Sequence, residues 1–298
     1  MGCKVGLIDV DGHNFPNLAL MKISAWHKAM GDTVEWCFPL ERYDIVYQSK
    51  VFDDTYSPDI NFTPNAEKVI KGGTGYGLDN TLPSEIEHIY PDYSIYPELT
   101  KDTAYGFLTR GCPRGCDFCI VAKKEGKRSY KVADLSEFWR GQKNIVLLDP
   151  NILACKERMN LLDQLIQARA VVGFSQGLDI RLTNEAVIDK LNSIRVKRLH
   201  FAWDNPDQDL TPYFKRFTEA YNRKSASGKV VYTLVNFNST MEQNLYRIYT
   251  LRDLGYDPYV MVYDKPNAPR EIKDLQRWVN NKFIFRKCSK FEDYKKEK

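Results

Sequence analysis

The stretch Arg110-Gly-Cys112-Pro-Arg-Gly-Cys116-Asp-Phe118-Cys119 places three of the chain's seven cysteines within eight residues. The other four stand apart at positions 3, 37, 155 and 288, and the four histidines lie at 13, 27, 88 and 200. An odd cysteine count in a chain of 298 residues argues against a disulfide framework. Three thiolates can hold three irons of a four-iron cluster and leave the fourth iron open to a cofactor or substrate. A structural zinc site wants four ligands, and the next cysteine, Cys155, comes 36 residues after Cys119. A zinc site completed from a distance, in a non-catalytic module that binds nucleotide or nucleic acid, is the alternative reading. Gly111 and Gly115 let the backbone wrap closely around an inorganic core.

Working outward, strand-like and helical patterns alternate on both sides of this stretch, which implies an α/β fold with parallel sheets. Before it, Lys4 to Val10 reads as a buried strand and Asn17 to Met30 as a helix stopped by Gly31. Shorter strands follow at Val34 to Phe38, Tyr43 to Tyr47 and Lys68 to Ile70, the last leading into Gly72-Gly73-Thr74-Gly75-Tyr-Gly77. These form a small Rossmann-like parallel-sheet domain over residues 1–95. Residues 78–100, rich in Pro, Tyr and acidic side chains, read as a linker strapped over the surface. The second domain, 96–298, carries six strand–helix pairs with strands at Tyr105–Thr109, Asn144–Leu148, Val171–Ser175, Lys197–Trp203, Val230–Val235 and Tyr259–Tyr263. Six units are too few for a closed eight-fold barrel, so a partial (β/α)6 barrel with a C-terminal extension is expected. Asp134 and Thr183 are expected to cap helices, Ser239-Thr-Met-Glu242 fits a capping box, and Gly255 suits a helix end.

Hydrophobic residues make up 43% of the chain, enough for a sizeable core, and no apolar run approaches the ~20 residues that span a bilayer. Met1 to Val5 lacks a charged region followed by an apolar segment, so a secretory leader is not expected and a cytoplasmic location is. A formal charge of +4 permits a nucleic-acid partner without arguing for one. The basic runs at Lys123–Lys131 and Lys282–Lys298 fit a solvated face or a frayed terminus as well as a phosphate track.

Cys112, Cys116, Phe118 and Cys119 match, position by position, the Cys-x-x-x-Cys-x-x-Cys motif with an aromatic before its last cysteine, and in this the chain resembles the radical S-adenosylmethionine superfamily. Arg110-Gly-Cys112-Pro resembles the subgroup with an amino-terminal cobalamin-binding-type domain. The resemblance implies a 4Fe-4S cluster on Cys112, Cys116 and Cys119. It implies reductive cleavage of S-adenosylmethionine to a 5′-deoxyadenosyl radical that abstracts hydrogen from an unidentified substrate. The substrate is expected between the two domains, and a small reductant protein such as flavodoxin or ferredoxin is the implied partner.

For the methionine amino group the resemblance points to Asp149 and Asn151, although the usual Gly-Gly-Glu is missing. Gln176, Asp179 and Arg181 offer ribose acceptors and a guanidinium, with a structural Asp179–Arg181 ion pair as the alternative. Trp203 is either an adenine platform or core, and Asn236 and Asn238 follow the strand where adenine is met. In the first domain the family's Asp-x-His-x-x-Gly appears as Asp11-Gly-His13-Asn14-Phe-Pro16, ending in Pro, and its Gly-rich cradle is echoed by Gly73 and Thr74. Cobalamin is possible there. Alternatively His13 and Asn14 face the substrate, or His13 caps the following helix. As ends of one parallel sheet, both loops are expected on one rim, with His13 the histidine nearest the cluster.

Overall fold

A computed structural model describes residues 2–12 and 14–296. By internal contacts it divides into two compact units, 1–146 and 147–298.

In the first unit, β1 (Lys4–Asp9) leads through α1 (Leu18–Ala29) to β2 (Thr33–Trp36), followed by β3 (Tyr43–Ser49) and β4 (Ala66–Gly72). The four strands form one parallel sheet in the order β2-β1-β3-β4. Asn17 caps α1 by accepting from the Leu20 amide. The helix then lays Leu20 and Ile23 against Val5 and Leu7 of β1. The opposite face is closed by Ile8, Tyr43 and Val46 with Ile60 and Phe62. This face is covered by irregular chain, because the run between β3 and β4 contains Pro58 and Pro64, which break a helix there. His27 is structural: its ring bridges Asp32 (2.6 Å) and the Tyr47 hydroxyl (3.0 Å).

Residues 78–100 are more than a strap. They contain α2 (Ser84–Glu87), a 3₁₀ turn at Tyr93–Ile95 and α3 (Pro97–Thr100). Ile86 is buried in the core of the first sheet, and Asp92 accepts from Ser24 and Lys28 of α1. Single turns are too short to display a 3.6-residue period, so the sequence pattern is silent on them. By contacts, residues 97–146 cluster with the first sheet. They supply β5 (Thr103–Gly106), the two-residue strands β6 (Thr109–Arg110) and β7 (Tyr130–Lys131), which pair antiparallel, the short α4 (Val121–Lys124), and β8 (Asn144–Leu147), within which the division falls. The expected single strand Tyr105–Thr109 is thus broken into β5 and β6, and no full helix separates β5 from β8. Asp134 does cap, but on a 3₁₀ turn, Leu135–Glu137.

The second unit alternates regularly: α5 (Arg158–Ala168), β9 (Val171–Phe174), α6 (Glu185–Ser193), β10 (Leu199–Ala202), α7 (Thr211–Ala220), β11 (Lys229–Val235), α8 (Met241–Asp253), β12 (Asp257–Val262), then α9 (Arg270–Asn280), α10 (Lys282–Lys287) and α11 (Phe291–Lys296). β10, β11 and β12 form a parallel sheet. Val172–Val196 and Leu178–Phe201 bridges tie the β9 region to it in the same sense. Alternate residues Val231, Thr233 and Val235 are buried. Phe201, Phe214, Phe217 and Tyr256 stack edge-on between sheet and helix. Trp278 anchors a second cluster with Leu275, Val279 and Phe291. Burial of each such ring contributes roughly 1.5–3 kcal/mol. Asn184, one residue after the expected Thr183, caps α6, and the capping box of α8 is Thr240 with Gln243, one residue later than expected. Gly255 follows α8 with φ of 75°. Among the described residues no helix is long and apolar enough to cross a membrane.

Candidate functional site

The cysteine loop leaves β6 and returns through α4 to β7. Its entry is fixed by a carboxylate that sequence reasoning did not single out. Glu125 accepts from Arg110 Nη1 (2.8 Å) through one oxygen and from the Gly111 amide (2.9 Å) through the other. Arg110 also stacks over Phe107, 3.5 Å from the ring centroid. Gly111 has φ of 76°, and a Cβ there would lie 2.1 Å from the Arg128 carbonyl oxygen. Only glycine lets these two backbone segments meet. The Cys112 amide donates to Gly126 O (3.3 Å), and the Cys119 amide donates to Cys116 O (2.9 Å) in a tight turn.

Cys116 is exposed and Cys112 and Cys119 are half-buried, whereas Cys155 and Cys288 are buried. Cys155 donates to Glu157 Oε2 (3.0 Å), and burial followed by that carboxylate pushes its thiol up to about 11. Burial thus holds it in its thiol form. Cys288 donates to Lys290 O (3.1 Å). The accessible thiols are therefore those of the motif, together with Cys3 and the half-buried Cys37 of the first sheet. Among the described residues no three His, Cys, Asp or Glu side chains are already gathered as a metal cage. The loop leaves Cys116 exposed and Cys112 and Cys119 part-exposed, which suits ligands that close on an incoming inorganic core. Phe118 is half-buried in the same turn.

The amino-terminal loops do share one rim, as expected of strand ends in one parallel sheet. Asp11 is buried and accepts from the amides of Val51 (2.8 Å) and Phe52 (2.7 Å). Gly73 has φ of 91°, and a Cβ there would lie 2.2 Å from Lys50 O. Both loops thus brace the same segment, Lys50 to Phe52. Thr74 accepts from Lys124 Nζ, which brings the Gly-rich loop against the end of the cysteine loop, and burial lowers the Lys124 pKa. Asn14 is exposed with φ of 58°. His13 lies outside the described residues. Asp9, at the end of β1, is held by Tyr96 and by Asn17 (3.4 Å).

In the second unit, Asp149 and Asn151 are buried just after β8. Gln176 is exposed. Asp179 and Arg181 form the structural pair: Arg181 Nε and Nη2 donate to the two carboxylate oxygens (2.7 and 3.2 Å), and Nη1 donates to Gln208 (2.7 Å). That guanidinium is committed. Trp203 is core: it is 1% exposed, donates from Nε1 to Gln208 O (2.8 Å) and packs on Phe214 and Tyr246. An adenine platform needs an open ring face, and α7 and α8 cover this one. Asn236 (φ 65°) donates to Tyr263 O (2.8 Å), and Asn238 is exposed.

Two further groups meet near the end of β10: Asp204, which with Trp203 follows that strand, and Arg247 of α8, which the sequence did not single out. Asp204 accepts from the Leu234 amide (3.1 Å), and burial pushes its carboxyl up to about 6. Arg247 is fully buried and donates to the carbonyls of Trp203 (2.7 Å), Asp204 (3.0 Å) and Leu234 (3.0 Å) and to Asn244 Oδ1 (2.6 Å); burial lowers its pKa to about 10. His200 of β10 donates from Nδ1 to Phe174 O (3.2 Å) and stacks on Tyr232 at 5.5 Å. Burial holds this imidazole toward its neutral form.

No protein-family model and no curated protein matches this sequence. Solved structures do share its fold. The radical S-adenosylmethionine methyltransferase TsrM from Kitasatospora setae, with cobalamin and a [4Fe-4S] cluster bound, superposes with a TM-score of 0.61 at 11% identity, over 88% of this chain and 72% of TsrM. A second TsrM structure, with tryptophan substrate and the S-adenosylmethionine analogue aza-SAM, gives a TM-score of 0.63 at 11% identity, over 87% and 72%.

Proposed function

We propose that this chain, which has the fold of TsrM, is a radical S-adenosylmethionine enzyme. One observation carries the reading: a Cys-x-x-x-Cys-x-x-Cys motif lies on an accessible, carboxylate-braced loop in a chain of that fold. In this reading β5 and β8 to β12 are the six strands of a partial barrel. Cys112, Cys116 and Cys119 would hold a 4Fe-4S cluster. When bound and reduced, such a cluster supplies the electron that cleaves S-adenosylmethionine to methionine and a 5′-deoxyadenosyl radical, which takes hydrogen from the substrate.

The chain's own contribution is placement. Glu125 fixes the loop entry through Arg110 and the Gly111 amide. Asp149, Asn151, Asn236 and Asn238 remain candidates for the S-adenosylmethionine polar groups; Arg181 and Trp203 do not, being committed to Asp179 and to the core. Asp204, with its carboxyl near 6, can hold or release a proton at neutral pH. Cobalamin, which TsrM binds, stays a candidate second cofactor at this rim, where Asp11 braces the Val51 and Phe52 amides and the Gly73 backbone packs onto Lys50.

Anaerobic purification is the first test. The expected protein is brown, with broad visible charge-transfer absorption, and with dithionite it converts S-adenosylmethionine slowly to 5′-deoxyadenosine without its own substrate. A colourless zinc protein would support the binding module instead. S-adenosylhomocysteine alone, without deoxyadenosine, would mean a polar methyl transfer and no radical.

A further inference from the structure

Residues 110–131 contain seven basic side chains against two acidic ones, an excess of five where the whole chain has a net charge of +4. Three of the seven are spent locally: Arg110 on Glu125, Lys124 on Thr74 and Lys131 on Asp134 (2.6 Å). Lys123, Lys127 and Arg128 are exposed and have no ionic partner among the described residues. Their placement is specific. A Cβ built on Gly115, beside the exposed Cys116, would touch the Lys127 side chain at 3.8 Å, and the Arg128 backbone is the one that Gly111 packs against. Two apolar side chains sit in the same rim: Ile120, 47% exposed, directly follows Cys119, and Tyr130, 44% exposed, pairs with Arg110 across β6 and β7.

We propose that this rim is the docking surface for a small acidic one-electron carrier protein, an inference that rests on reading the three cysteines as an iron–sulfur ligand set. Electron-transfer complexes use small interfaces, below about 1,200 Å², that form and separate quickly. A few apolar contacts ringed by charge give such a surface, and the charge chiefly raises the association rate and selects the partner. The rim borders the accessible thiols, so a carrier seated on Lys123, Lys127 and Arg128 is brought close to the centre it must reduce. One electron leaves the carrier's reduced flavin or iron–sulfur group, which is oxidised by one electron, and the cysteine-held centre is reduced by one. No bond is made or broken on this chain. A nucleic acid fits less well, because the charge is confined to one loop and one short hairpin, with a single exposed tyrosine where single strands stack on several.

The test uses anaerobically purified protein and measures its dissociation constant for flavodoxin and for a plant-type ferredoxin by titration calorimetry at 50 and 300 mM salt. Lys127→Glu/Arg128→Glu is compared with Lys215→Glu/Lys265→Glu, which changes net charge equally at a distance in sequence. The expected result is binding of at least one carrier that weakens with salt and falls at least about tenfold in the first variant but less than twofold in the second. Dithionite-driven deoxyadenosine formation should stay within twofold in both, which also shows that the variants fold and load. Equal effects of the two variants on carrier binding, or no binding of either carrier, would overturn the docking surface. So would binding of a single-stranded oligonucleotide lost in the first variant while carrier binding persists. Absence of dithionite-driven chemistry would refute the proposed function instead, while the calorimetry still decides the surface.

Discussion

Glu125 offers the sharpest test of how the cysteine loop is held. Its side chain is only 13% exposed, and its two oxygens accept from Arg110 Nη1 at 2.8 Å and the Gly111 amide at 2.9 Å. Replacing Glu125 by Ala removes both bonds and leaves a buried amide and a half-buried guanidinium without their acceptor. At about 1.5 kcal/mol for each charge-assisted bond, the loss is about 3 kcal/mol. For a unit of this size that lowers the melting temperature by about 6–12 °C. Glu125→Gln keeps one acceptor for the Gly111 amide but turns an amide donor toward Arg110, so it should fall about midway. Differential scanning fluorimetry reads the stability, and iron per protein chain after anaerobic reconstitution reads the loop. Iron content should fall in the order wild type, Gln, Ala. If Glu125→Ala melts with wild-type protein and takes up the same iron, the carboxylate brace is irrelevant to the loop and the reasoning fails.

Replacing any one of Cys112, Cys116 or Cys119 by Ala should abolish the cluster's visible absorption, while Ala at Cys3, Cys37, Cys155 or Cys288 leaves iron per chain unchanged; equal need for Cys155 or Cys288 would remove the open-iron argument. Asp204 carries a pH signature. Its folded pKa of about 6 lies above the ordinary carboxylate range, so the folded chain holds that proton more tightly than the unfolded one. Its contribution to stability is full below about pH 4 and is lost as pH rises through about 6. Asp204→Asn should therefore gain melting temperature relative to wild type at pH 8 compared with pH 4.5, and an equal difference at both pH values would contradict the assignment. Arg247→Ala removes its donors to the carbonyls of Gln243, Trp203, Asp204 and Leu234 and to Asn244 Oδ1; calorimetric unfolding should show a loss of about 3–5 kcal/mol, and a loss under about 1 kcal/mol would mean that water replaces the guanidinium.

The iron-binding candidate was legible from Cys112, Cys116 and Cys119 because their meaning lies in spacing along eight residues, which no distant contact can alter. The alternation of β9 to β12 with α5 to α9 was legible for a similar reason. Each strand buries alternate residues and each helix buries a stripe, as Leu275, Trp278 and Val279 do on α9, and these periods are local. Strand ends and caps moved by a residue or two, as at Asn184 and Thr240, because the final turn is decided by which side chain reaches an amide.

What the tertiary structure decided is how each polar candidate is spent. Asp11, a candidate for substrate or a second cofactor, braces Val51 and Phe52, 40 and 41 residues away. Trp203 was open to either platform or core until α7 and α8 covered it. Glu125 carries no motif, yet it reaches back 14 residues to the loop entry, and Lys124 reaches 50 residues to Thr74. A side chain's chemistry is written in its identity, but its partner is set by which segments the packed sheets bring within 3 Å. That closeness comes from burial of apolar faces such as Val5, Leu7 and Leu20, and it leaves no trace in the residues near the polar group itself.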